Sequence, residues 1–190
     1  MTRKEYIEKY ALAAYLATLG TGYFPETALV QGAIESGNGA SSLSAKYNNF
    51  YGIKSAGTWK GRSVNLVTGE VINGRRITVT AGFRVYNNFY GSTRDLVKFI
   101  KTYSRYKAVL AAQNPISQMY ALGNSGYATA PGYGSTLVST YSSYKSTIDK
   151  AIMRAKLTLL AGGLGVGVGT YFLIRSGLPQ KVVSELKRLR

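Results

Sequence analysis

The chain has 190 residues and a net charge of +16, from 24 Lys and Arg set against 8 Asp and Glu. It contains no Cys and no His, which excludes disulfides, thiolate chemistry, imidazole acid–base catalysis and His-ligated metals. Proton transfer in such a chain falls to carboxylates, tyrosine or lysine, and no metal or other cofactor is expected. A surface this basic seeks polyanions: nucleic acid, anionic lipid or the acidic polymers of a bacterial wall. The length suits one domain with a real core, plus an appendage.

The spacing of Tyr6, Ile7, Tyr10, Leu12, Ala13, Leu16 and Leu19 predicts a helix over 3–19, closed by Gly20. Glu5, Glu8 and Lys9 set this helix apart from a secretory signal. A second helix is predicted over 25–36. Pro25 suits its first position and Glu26 its first turn. Ala28, Leu29 and Ile34 form a buried face, and Gly37 and Gly39 stop it. Glu35 therefore closes a largely apolar helix, at the end where the dipole disfavours an anion. Partial desolvation there raises a carboxyl pKa, as a general acid requires. The same position also fits a solvated helix end before a glycine turn.

From Tyr47 the chain reads Tyr-Asn-Asn-Phe-Tyr-Gly-Ile-Lys. Two amides beside two aromatic rings suit a loop packed against a sugar, and equally an Asn-rich turn leading into a strand. Residues 58–86 change period: Val64, Leu66 and Thr68 alternate, and Asn73-Gly74 sits at a hairpin position. The expectation is two or three antiparallel strands, with Glu70 near the turn. Ser92-Thr93-Arg94-Asp95 reads as a capping-box variant opening a helix whose apolar face is Leu96, Phe99, Ile100 and Tyr103. Residues 106–112 continue that helix or begin another. A short helix runs from Pro115 to Gly123, a loop spans 125–133, and Leu137, Tyr141, Tyr144, Ile148 and Ile152 form a last amphipathic helix.

Residues 157–174 carry no charge. As a helix they extend about 27 Å, enough for a bilayer core. Arg154, Lys156 and Arg175 flank the stretch, and Gly163/Gly167 and Gly165/Gly169 permit close helix pairing and self-association in lipid. A buried Gly-rich element of the domain is the other reading. The expected division is a domain over 1–153 and, over 154–190, a transmembrane helix with a basic tail.

Taken in order, these motifs resemble the glucosaminidase family of peptidoglycan hydrolases. Gln31-Gly-Ala-Ile-Glu35-Ser-Gly-Asn-Gly39 is similar to that family's Q-A-x-x-E-S-G-W-G, and Tyr47-Asn-Asn-Phe-Tyr-Gly-Ile-Lys54 to its N-x-F-G-I-K. Trp59-Lys-Gly, Thr68-Gly-Glu70 and Phe83-Arg-Val-Tyr86 follow its β-lobe pattern, and Ser125-Gly-Tyr127-Ala-Thr129 resembles its G-Y-A-T-D. Asn38 departs from the usual Trp, part of the substrate wall, and Ala130 from the usual Asp. The resemblance implies an α+β, mostly α, lysozyme-like domain with a small β-hairpin lobe beside a cleft. It implies hydrolysis of the β-1,4 bond between N-acetylglucosamine and N-acetylmuramic acid. Glu35 takes the general acid's place and Glu70 that of the second carboxylate, with inversion and help from the substrate's acetamido group both open. Asn48, Asn49, Tyr51, Lys54, Trp59 and Tyr127 are the expected substrate contacts.

With no signal peptide read at 1–19, the expected setting is a membrane-anchored bacteriophage enzyme, in a virion or at the host envelope, for wall penetration or lysis. A wall-binding or membrane-associated virion protein on a decayed hydrolase fold is the competing class, supported by Asn38 and Ala130. A nucleic-acid binder is disfavoured, because no such motif is present and the charge is spread along the chain.

Overall fold

A computed structural model describes residues 1–57, 59–72 and 75–164, without the side chains at 70–72, 75–76 and 160–164. The first helix, α1 (Arg3–Thr18), begins at a capping box: the Thr2 hydroxyl accepts from the Glu5 amide, and the Glu5 carboxylate accepts from the Thr2 amide. Helix α2 (Pro25–Glu35) starts at its proline as expected. It is buried on more than the one face its spacing implied, since every residue from Thr27 to Ala33 is covered. Burial round most of its circumference makes it a core helix, and α1 and the last helix, Tyr133–Leu164, pack against it.

A six-residue helix, α3 (Ser42–Tyr47), follows. It is too short to show a period in sequence, and it is held by the Ser41 hydroxyl, which accepts from the Ser44 amide. The change of period beyond it is a two-stranded antiparallel ribbon, β1 (Ser63–Ile72) and β2 (Arg75–Arg84). The register runs from Ser63↔Arg84 to Ile72↔Arg75. That leaves a two-residue connection at 73–74, where the Asn-Gly turn was expected; both residues lie outside those described. Segment 53–55 clips onto the root of the ribbon, with Ser55 N–H donating to Gly82 O at 2.9 Å and Arg84 N–H to Ile53 O at 3.0 Å.

Helix α4 (Phe89–Thr102) corrects the expected capping box. Its cap is Asn88, whose side chain accepts from the Gly91 amide at 2.9 Å. Ser92 and Thr93 lie inside the helix and are fully buried. Ser92 Oγ accepts from Phe50 N–H, and Thr93 Oγ1 lies 2.8 Å from the Tyr51 hydroxyl. Asp95 has a structural task, but a different one. It accepts from Arg84 Nη1 and from the Tyr86 hydroxyl, each at 2.7 Å. This pins the end of β2 to α4.

A 3₁₀ turn (Ser104–Tyr106) leads into α5 (Lys107–Ala111), so residues 106–112 begin a new helix. Then come α6 (Pro115–Asn124) and α7 (Tyr133–Leu164). The core gathers Leu29, Leu96, Ile100, Met119, Leu122, Leu137 and Ile148, all fully buried, each worth about 1.5–3 kcal/mol on leaving water. Helices α6 and α7 meet at a glycine pair. A Cβ on Gly123 would lie 2.6 Å from Gly134 Cα and N, so only glycine lets the backbones approach this closely. The approach matters because Tyr133, next to Gly134, is thereby carried to the cleft.

Helix α7 crosses the expected 153/154 boundary without a break. Ala155 is buried, just ahead of the expected membrane span. Within the span Leu157 is exposed, while Leu159 packs on Leu16, Ala17 and Tyr90. Among the described residues no helix is long and apolar enough to cross a membrane. Positions 165–174 of that span, with the Gly165/Gly169 pair and Gly167, lie outside the described residues.

Candidate active site

The turn after α2 is locked by Ser36. Its buried hydroxyl donates to Gly32 O at 2.5 Å and accepts from Gly39 N–H at 2.8 Å. Gly37, Asn38 and Gly39 all have positive φ, of 57°, 58° and 79°, and Asn38 N–H donates to Ala33 O at 2.8 Å. Three left-handed residues in a row explain why glycines bracket this turn. Asn tolerates the middle place, and its side-chain oxygen accepts from Arg3 Nε. The result is a fixed backbone at Glu35.

Glu35 opens onto a cleft of about 560 Å³. Part of the residue is solvent-exposed, but protein packed behind the carboxyl desolvates it and raises its pKa above the ordinary carboxylate value. A hydrogen bond from Tyr133 works in the opposite direction and limits the rise. The Tyr133 hydroxyl donates to Glu35 Oε1 at 2.6 Å. Tyr133 is 8% exposed, and burial, followed by the facing Glu35 charge, pushes its own pKa up, so its proton stays in place. With Oε1 held, Oε2 is the oxygen left to face a substrate.

Tyr133→Phe removes the one bond that favours the ionised carboxyl. The expected outcome is a higher Glu35 pKa, moving the basic limb of the kcat/KM–pH profile to higher pH. The lost orientation should lower kcat on the order of tenfold. A pH–rate series on both proteins checks this.

The expected substrate contacts separate into two groups. Tyr51, Lys54 and Tyr127 line the cleft with Glu35. The ring of Tyr127 stacks on that of Tyr133, centroids 6.1 Å apart, while the Tyr51 hydroxyl is turned inward to Ala28 O and Thr93. Asn48, Asn49 and Trp59 brace the cleft from behind. Asn49 is 1% exposed, and its amide donates to Ile53 O and Arg84 O while accepting from Ile53 N–H. Asn48 caps α3 in a left-handed conformation and donates to Tyr86 O. Trp59 lies under the Arg84 guanidinium, 4.6 Å from ring to charge. Glu70 stands in β1 opposite Ile77, and its side chain lies outside those described. Ala130, at the expected Asp position, is on the cleft rim.

Tyr133, Arg84, Arg105 and Tyr106 line or serve the cleft and were not foreseen. For Tyr133 a signal existed: the helical series Leu137, Tyr141, Tyr144, Ile148 extends back one turn to it. Nothing local distinguishes Arg84 or Arg105 among 24 cations. Among the described residues no group of three acidic, His or Cys side chains gathers to hold a metal.

A carboxylic acid that keeps its proton above the ordinary carboxylate range, in a cleft lined with aromatic rings, can protonate a departing sugar oxygen. The fold and the site define a domain of the glycoside hydrolase class. The family model described as mannosyl-glycoprotein endo-beta-N-acetylglucosaminidase matches residues 11–146. The peptidoglycan hydrolase FlgJ of Escherichia coli K12 is 33% identical over 151 residues, 77% of this chain and 48% of FlgJ. The exo-glucosaminidase LytG of Bacillus subtilis is 38% identical over 125 residues, 63% of this chain and 44% of LytG. The solved structure of a C-terminally truncated glycoside hydrolase domain from Salmonella typhimurium FlgJ superposes with a TM-score of 0.63 at 31% identity, over 76% of this chain and 99% of that one. This chain therefore belongs to the glucosaminidase family of peptidoglycan hydrolases. It spans about half the length of the full-length relatives it matches.

Proposed function

We propose that this chain hydrolyses the β-1,4 bond between N-acetylglucosamine and N-acetylmuramic acid in bacterial peptidoglycan, with Glu35 as general acid. The supporting observation is the Glu35 carboxyl itself: desolvated, raised in pKa, held on one oxygen by Tyr133 and facing the cleft. Glu35 protonates the glycosidic oxygen, and charge building on the sugar is met from the other side. Glu70 on the ribbon is the carboxylate assigned to activate water; the substrate's acetamido oxygen is the alternative nucleophile. The same reading takes residues 157–174 as a membrane anchor, from their uncharged run and paired glycines, and places the enzyme in wall penetration or lysis by a bacteriophage.

The test is mass spectrometry of purified peptidoglycan digested with the full chain. New reducing-end N-acetylglucosamine is the expected product. New reducing-end N-acetylmuramic acid would reassign the bond. No cleavage by folded protein would overturn the enzymatic reading in favour of wall binding.

A further inference from the structure

The cleft is short of negative charge. Glu35 is the one acid among its described lining residues, set against Lys54, Arg84 and Arg105. Arg84 is neutralised by Asp95. Arg105 is held differently. Its Nη2 donates to the hydroxyl of fully buried Tyr106 at 2.7 Å. Its guanidinium carbon lies 4.7 Å from the Tyr106 ring centroid and 5.7 Å from that of Tyr103. Among the described residues no carboxylate pairs with it. One edge of the guanidinium is thus anchored by tyrosines, and its remaining N–H donors stay exposed at the cleft wall.

A row of rings relates this cation to the acid. Tyr106 lies 6.3 Å from Tyr127, Tyr127 lies 6.1 Å from Tyr133, and Tyr133 holds Glu35. Arg105 is thus joined to Glu35 through this row rather than by a bond of its own. A cation so placed on the shared cleft wall is suited to contact what hangs from the glycan. A planar fork stacked on aromatic faces and lacking an acid is a ready receptor for a carboxylate, which it can bind through two parallel hydrogen bonds.

We propose that Arg105 forms a carboxylate-binding subsite that selects glycan strands bearing acidic substituents. This rests on the glycan-cleaving reading above and adds the substrate's charge to it. Two parts of such a strand present that chemistry: the acidic residues of a stem peptide, and the lactyl acid exposed once the peptide has been removed.

The test uses the full chain carrying Glu35→Gln, so that bound strands survive, and measures equilibrium binding of four glycan fragments. Two carry stem peptides, with their carboxyls free or chemically amidated; two are peptide-stripped, with the lactyl carboxyl free or amidated. At least one acidic fragment should bind about tenfold tighter than its amidated twin, and the pair showing the difference identifies the carboxylate. Adding Arg105→Gln should abolish the difference, while Arg105→Lys restores part of it. Equal binding of acidic and amidated fragments, binding of none, or an Arg105→Gln loss equal on both twins would overturn the subsite. The first contrast needs no change at Arg105, so misfolding of that variant cannot hide the answer. Turnover by the chain with Glu35 intact is scored separately. Charge-selective binding without cleavage overturns the hydrolase reading alone, and cleavage without selectivity overturns the subsite alone.

Discussion

Glu35→Gln is expected to lower peptidoglycan hydrolysis on the order of a thousandfold, because a positioned general acid contributes 10²–10⁴-fold and Gln offers no proton to the departing oxygen. The amide keeps the shape of the carboxyl and can still accept from Tyr133, so the fold is retained. Stability should even improve, in a pH-dependent way. The folded-state pKa of Glu35 is raised above its ordinary value of about 4.5 by burial. Below that value the carboxyl is neutral in both folded and unfolded chains, and the variant has no advantage. As pH rises the unfolded chain loses its proton first, and ionising the folded chain opposes desolvation, so the parent loses stability as pH passes through the folded pKa. The variant does not. Thermal melts of the two proteins should coincide near pH 4 and diverge towards neutrality, with Glu35→Gln the more stable. A variant that is inactive and also unstable at every pH would place Glu35 in the scaffold instead.

Asp95→Ala is expected to cost about 3 kcal/mol, the scale for stripping a largely buried ion pair of one partner, and to lower Tm by roughly 6–12 °C. Its side chain is 12% exposed and that of Arg84 is 15% exposed. With the carboxylate gone, Arg84 keeps a bond to Lys54 O and its place over Trp59, and the Tyr86 hydroxyl loses its acceptor. The penalty comes chiefly from the stranded charge. Arg84→Met combined with Asp95→Leu should therefore recover most of the stability lost in Asp95→Ala. Urea titrations of the parent and the two variants check both statements, and a double variant no better than Asp95→Ala would show that the pair is valued for its geometry rather than its charge balance.

What could be read from the sequence follows the range of each interaction. The place of Glu35 was legible because its causes are local: an apolar run, a stop, and glycines that the turn demands. The ribbon was legible because alternation and an Asn-Gly pair are local too. Asp95 was seen to be structural and given the wrong partners. Ser-x-x-Asp satisfies a capping rule on paper, but Asn88 takes the cap, and Phe50 and Tyr51, 42 residues away in sequence, draw Ser92 and Thr93 inward. Asn49 looked like a sugar ligand because amides bind sugars. The competing demand prevailed: a loop that turns inside a protein must pair its own carbonyls, and Asn49 does so for Ile53 and Arg84. The contact of Tyr133 with Glu35 spans 98 residues and depends on a glycine crossing between α6 and the start of α7, which no local pattern records.

Trp59 is the chain's one tryptophan, among 16 tyrosines. It sits at the root of the ribbon, its Nε1 donating to Arg62 O at 3.1 Å, with Tyr86 at its edge and the Arg84 cation over its face. Light absorbed at the red edge, beyond tyrosine, is thus emitted from a single known spot. A cation over an indole face couples directly to its electrons, so any movement of the ribbon against the body that shifts Arg84 changes the colour or yield of that emission. The fold carries its own optical gauge of how the lobe sits, with no label to attach and no second tryptophan to subtract.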